Sequence, residues 1–268
     1  MTPALLVLLA TAVHVAVFAR LGPDTLPAYR LWTHVAMKLV ATAGCLWAAA
    51  SLRRGDYMRR FWVPLGVSYF LLTLAEDPIT SFLGRGSAPA AVMLGAFFLA
   101  FGNLLSVGAT AVLARSYRQA GLGFERSWRG KLSWALAALF AVGVVGFGLD
   151  REASRALAGE GPDAWASAFS YLCDAVTFVL LVPVIRFSIR LGASRLGWPW
   201  WTYAAATVAW LLYDAIEPLP ELAAGLSISL PSETFRTLGT LLAGLAGLYA
   251  ADLVRRTRAE RPPGAPST

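Results

Sequence analysis

Residues 89–114 read PAAVMLGAFFLAFGNLLSVGATAVLA, without one charged side chain. Roughly 20 apolar residues in a helix cross a hydrocarbon core, so this stretch suffices for a span. Its Gly and Ala positions suit close packing against neighbouring helices. Outward from it the pattern recurs. Further apolar runs lie near 3–20, 31–52, 61–84, 132–149, 165–187, 198–219 and 235–254, which predicts eight spans in all. Composition agrees: 57% of the 268 residues are hydrophobic and 15% are charged, against roughly 25% charged in ordinary soluble domains. The expected fold class is all-α: a polytopic membrane protein of eight transmembrane helices. Residues 1–257 form its single domain, and 258–268 are expected to be a disordered, Pro-rich cytoplasmic tail.

The first run could pass for a signal peptide. It has no basic residue ahead of its apolar core, and Phe18-Ala19-Arg20 makes a poor cleavage site, so a span is the expectation. The net charge of +7 could point to nucleic acid, but its distribution does not. Arg53, Arg54, Arg59 and Arg60 follow the second run, and Arg115, Arg118, Arg126, Arg129 and Lys131 the fourth. Arg186, Arg190 and Arg195 follow the sixth, and Arg255, Arg256, Arg258 and Arg261 the eighth: 16 of the 23 basic residues. Acidic residues collect in the alternate loops, with Asp150, Glu152, Glu160 and Asp163 in one and Glu221 and Glu233 in another. Basic loops on one side mark the cytoplasmic face. The expected protein lies in the cell (inner) membrane with both termini cytoplasmic, and it has no nucleic-acid partner. Cys45 and Cys173 fall inside runs and read as small packing residues. Trp32, Trp62, Trp128, Trp198 and Trp200 stand near span ends, as in an aromatic belt.

Shifting the chain by 137 residues brings the third and fourth runs onto the seventh and eighth without a gap. Asp77 then falls on Asp214, Gly102 on Gly239 and Arg118 on Arg255. A slip of one residue puts Lys38 on Asp174. The pattern predicts a parallel four-plus-four duplication, with halves 1–119 and 128–257 related by an axis along the membrane normal.

Lys38, Glu76, Asp77, Asp174 and Asp214 interrupt the apolar runs, with Glu217 at an edge. An ionised side chain at the centre of a span costs about 2.5–3.5 kcal/mol even on lenient scales, so these groups need partners, water or a role. Counted along alternating spans at ~1.5 Å per residue, they share one depth in the outer half of the bilayer, which predicts a single polar cavity. His34, one turn before Lys38, would rim it; Asn103 lies near the middle of the fourth span. Simpler roles also exist: Lys38 and Asp174 as a structural ion pair, Asp77 satisfying backbone groups at the Pro78 kink, Glu217 as an interfacial residue.

Two histidines and two separated cysteines offer no catalytic zinc set, and no GxSxG elbow is present. No metal and no cofactor is expected. Carboxylate chemistry remains. Two carboxyls in one low-dielectric cavity need not carry protons alike, which permits one general acid and one general base.

These residues resemble the YhhN-like lysoplasmalogenase family: a lysine early in the second span, an aspartate in the third and another in the seventh. The family's third-span Leu-Gly-Asp corresponds to Leu74-Ala75-Glu76-Asp77, and its Leu-Phe-x-x-Ser-Asp to Trp210-Leu211-Leu212-Tyr213-Asp214. Its Lys-Pro is Lys38-Leu39, and its fourth-span histidine is Asn103, so the chain departs from the pattern at three places. The resemblance implies hydrolysis of a lipid vinyl ether by Asp77 and Asp214 as the acid–base pair. Lys38, Glu76, Asp174, Asn103 and His34 would bind substrate or tune the pair, and the partner would be a membrane lipid or lysophospholipid. A non-enzymatic transporter or lipid-binding sensor with an intramembrane Lys/Asp site is the alternative. It would place polar residues on both sides of the midplane, whereas here the cytoplasmic halves read as apolar. Oligomeric state is not legible.

Overall fold

The computed structural model describes residues 3–22, 24–120, 128–191, 194–219 and 229–260. Among them every regular element is a helix, and there are nine: α1 (Pro3–Phe18), α2 (Leu26–Ser51), α3 (Arg59–Leu74), α4 (Asp77–Leu83), α5 (Ala88–Gln119), α6 (Trp128–Leu157), α7 (Pro162–Leu191), α8 (Trp198–Ile216) and α9 (Ser229–Ala259). Four of the described helices, α5, α6, α7 and α9, are long and apolar enough to cross a membrane. Most of the predicted tail, and Glu221 in the loop before α9, lie outside the described residues.

The run expected as one span over 61–84 is two helices. Pro78 has no N–H to give, and its ring would strike the carbonyl of Leu74 in a continuous helix. The chain breaks at Glu76, which takes an extended conformation (φ −69°, ψ 137°). The Glu76 N–H turns to the Thr73 carbonyl, which leaves the Leu72 carbonyl without its usual i+4 donor. At the other end of the bundle α9 begins at Ser229 rather than 235. Glu233, read above as a loop residue, is therefore inside a helix and fully buried. Glu152 is likewise a residue of α6 rather than of a loop.

Six helices close a ring in the order α2, α3, α5, α7, α8, α9 and back to α2. Helix α6 packs outside α7 and α8, and α1 lies against α9 with a slight contact to α2. The bundle as a whole is inside-out relative to a soluble protein. Leu5, Leu8 and Leu9 of α1 and Leu132, Leu136 and Leu139 of α6 are exposed, while Lys38, Asn103, Asp214 and Glu233 are buried. Apolar faces turned outward are what lipid contact requires.

Within the ring, polar and apolar interiors are separated. One end is plugged by Ala41, Cys45, Phe61, Trp62, Leu65, Leu113, Leu181, Tyr203 and Ala246. Trp62 packs edge-on to Phe61 at 4.7 Å and stacks with Trp200 at 6.1 Å. These two tryptophans thus belong to the plug, whereas Trp32, Trp128 and Trp198 are exposed as a belt would have them. The seam between α2 and α9 is closed by Gly44, Gly244 and Gly247. A Cβ on Gly44 would overlap the Gly244 backbone, and one on Gly247 would overlap that of Gly44. The plugged end is also the arginine-rich end: Arg258 donates to the Ser51 carbonyl at 2.6 Å, and Arg255 lies over the Trp47 ring at 4.9 Å.

Candidate functional site

Beyond the plug, the ring encloses a cavity of about 310 Å³, at the lower edge of the range common for small-molecule sites. Every ring helix contributes to it: Lys38 from α2, Ser68, Tyr69 and Leu72 from α3, Leu99, Asn103 and Ser106 from α5, Ser170, Tyr171, Asp174 and Thr177 from α7, Tyr203, Trp210, Tyr213 and Asp214 from α8, and Arg236 from α9. At the end away from the plug, α6 adds Arg151, Glu152 and Arg155.

One wall carries opposite charges. Lys38 Nζ donates to Glu76 Oε1 at 2.5 Å and to the Leu72 carbonyl at 2.9 Å. The break before Pro78 frees the carbonyl, and Glu76 stands one turn beyond Leu72 on the same face. Arg236 Nη2 donates to the same Glu76 oxygen at 3.2 Å, and its guanidinium lies over the Tyr213 ring at 5.6 Å. The wall thus holds two cations on one carboxylate.

A second wall carries carboxyls. Asp174 of α7 and Asp214 of α8 face the cavity from helices packed against each other. Asp214 is 6% exposed, and among the described residues its Oδ2 has no hydrogen-bond partner. Asp174 is less enclosed by surface measure because the cavity itself lies against it. One turn on, Glu217 accepts from the Tyr171 hydroxyl at 3.1 Å. Asn103 Nδ2 donates to the Leu99 carbonyl at 2.9 Å and to Ser170 Oγ at 3.0 Å. At the mouth, Glu152 is held by Arg151 Nε at 3.0 Å and Arg155 Nη1 at 2.8 Å.

Of the residues singled out in the sequence, Lys38, Asn103, Asp174 and Asp214 meet around this cavity, with Glu76 bound to its wall. Asp77 does not. It is exposed as the first residue of α4 and is absent from the cavity lining. Ser68, Tyr69 and Leu72 line the cavity from α3, and the next position on that face at the helical period is 76, not 77. His34 does not rim the cavity; it is 4% exposed, and its Nε2 meets Glu233 Oε2 at 2.6 Å. Lys38 pairs with Glu76 and not with Asp174. Glu217 does line the cavity.

Sequence reading passed over Arg236, Tyr171, Tyr213, Glu152 and Arg155. A signal existed for Arg236: Glu233 and Arg236, three residues apart at the head of the last apolar run, fall on one helical face. The tyrosines gave none, because an aromatic in an apolar run looks the same whether it faces lipid or a cavity.

Among the described residues no three His, Cys, Asp or Glu side chains are grouped so as to hold a metal ion. What the cavity can do chemically is exchange a proton at a carboxyl pair while holding a polar or anionic group against fixed cations. No protein-family model, curated protein or solved structure matches this chain.

Proposed function

We propose that this protein is a membrane-embedded hydrolase of lipid ether bonds, lysoplasmalogenase-like, in which Asp174 and Asp214 act as the general acid and base. The observation that carries the reading is the carboxyl pair itself: two aspartates on packed helices that line one cavity, with a buried Asp214 oxygen that has no hydrogen-bond partner among the described residues. A proton held by one carboxyl goes to the β-carbon of a vinyl ether, and an oxocarbenium ion develops. The ionised partner stabilises that cation and removes a proton from the attacking water. The resulting hemiacetal collapses to a fatty aldehyde and a free glycerol hydroxyl, consuming one water and returning the proton to the pair. Lys38 and Arg236 hold the polar end of the substrate or fix the field around it. Asp77, the acid or base expected from the resemblance, is placed outside this reaction.

The architecture in this reading is eight spans in the inner membrane with both termini cytoplasmic, counting α3 and α4 as one broken span. Two observations support a duplication. The ring order is preserved when α2, α3 and α5 are exchanged with α7, α8 and α9. The Lys38–Glu76 ion pair and the two cavity carboxyls Asp174 and Asp214 also fall on corresponding helices of the two halves.

The test is aldehyde release from a lysoplasmalogen by the purified protein in detergent. Asp174→Asn and Asp214→Asn should each lower the rate by at least ~100-fold, since one positioned acid or base contributes 10²–10⁴-fold. The double variant should be little worse than either single one. Full activity in a folded Asp214→Asn protein would end the mechanism. The second reading, a transporter or lipid-binding sensor, is disfavoured by the apolar plug, because a path through the bundle needs polar groups on both sides of it. Solute uptake into vesicles carrying the protein would favour that reading instead.

A further inference from the structure

Both histidines of this chain meet at one carboxylate, away from the cavity lining. Glu233 of α9 is fully buried and forms an ion pair with Arg30 of α2. Its Oε2 contacts His34 Nε2 at 2.6 Å. From the other side comes His14 of α1, 3% exposed, with Nδ1 bonded to the Tyr29 hydroxyl at 3.1 Å and the two rings stacked at 5.5 Å. Its Nε2 stands 3.9 Å from Glu233 Oε2 and, among the described residues, has no hydrogen-bond partner. A buried ring nitrogen directed at a carboxylate but one ångström beyond bonding distance is an interaction left unmade.

Helix α1 is held to the bundle by little else. Of its 16 residues only Thr11, His14 and Phe18 are buried. The Thr11 hydroxyl bonds within its own helix, to the Val7 carbonyl at 2.9 Å. Helix α1 rests mainly on α9, at the level of Glu233 and one turn from Arg236 in the cavity wall.

We infer that α1 is a proton-operated clasp: protonation of His14 turns its open contact with Glu233 into an ion pair and fastens α1 onto α9. Whichever tautomer the Tyr29 contact holds, the added proton makes both ring nitrogens donors and gives the ring a charge. A carboxylate has lone-pair sites enough to accept from His14, His34 and Arg30 at once. The groups facing His14 are Tyr29, Arg30 and His34 on α2 and Glu233 on α9. Arg236, the next cation along α9, is drawn away toward Glu76 and so leaves Glu233 to this cluster. Acid therefore tightens the clasp and alkali loosens it, whatever reaction the cavity runs.

Spin labels at Leu9→Cys on α1 and Leu139→Cys on α6, both exposed positions, report how α1 sits against the bundle. The full chain carrying Cys45→Ala and Cys173→Ala is placed in phosphatidylcholine nanodiscs, and label distances are measured from pH 8 to pH 5. The expected result is a rise in the docked-to-undocked ratio on the order of tenfold toward acid, as befits one short ion pair in a poorly hydrated contact. His14→Phe and His14→Gln should be flat across the range, and Glu233→Gln flat as well if it folds. A flat wild-type profile would overturn the clasp. So would an unchanged profile in both His14 variants, or a response abolished by His34→Gln but kept by His14→Gln.

Discussion

Removing Glu76 should harm the fold more than removing Lys38, although they form one ion pair. Glu76 Oε1 serves two cations, Lys38 Nζ at 2.5 Å and Arg236 Nη2 at 3.2 Å, with all three side chains less than a fifth exposed. In Lys38→Met the carboxylate keeps Arg236, and the Met chain refills the volume of the lysine stem. The losses are one charged hydrogen bond and the donor to the Leu72 carbonyl, about 1–3 kcal/mol. In Glu76→Gln two buried cations are left facing each other with a neutral amide and one carbonyl between them. That corresponds to the ~3–5 kcal/mol of a buried pair broken from one side. At roughly 2–4 °C per kcal/mol for a chain of about this size, Glu76→Gln should melt about 10 °C below wild type and Lys38→Met about 5 °C below. The double variant, with one cation left, should melt above Glu76→Gln alone. Thermal aggregation followed by size-exclusion chromatography in detergent measures all three. A Glu76→Gln protein as stable as Lys38→Met would refute the shared-carboxylate reasoning.

Asp77→Asn should leave both melting temperature and any hydrolytic rate within about twofold of wild type, because the side chain is exposed and off the cavity; a 100-fold loss of rate would return Asp77 to the site. Gly247→Ala and Gly44→Ala should each cost more than about 2 kcal/mol, since the added methyl meets backbone across the α2–α9 seam. Gly108→Ala in α5, where a Cβ meets nothing within 4 Å, should instead raise the melting point by a few degrees through the helix propensity gained; the same thermal assay separates the two classes.

Much of this molecule is legible in its residue order. Runs such as 89–114 are too long and too apolar to serve any purpose but crossing lipid or forming a buried core. The plugged, arginine-rich end follows from where Arg53, Arg118 and Arg255 fall. That Lys38, Asp174 and Asp214 share a cavity was also readable, because a charge in an apolar helix must find company, and helices of similar length place similar sequence depths together. Which groups become partners is a tertiary matter. Lys38 joins Glu76 rather than Asp174 because Glu76 stands one turn beyond Leu72 on the cavity face of the third run, and the break before Pro78 frees the Leu72 carbonyl as a second acceptor. Arg236 enters the site because its face of α9 turns toward Glu76 and the Tyr213 ring. His34 leaves it because its face of α2 meets Glu233 of α9, 199 residues away in the chain. Hydropathy along the chain determines that buried charges must be compensated. Only the rotation and offset of packed helices, set by one proline and a seam of glycines, decide which charge compensates which.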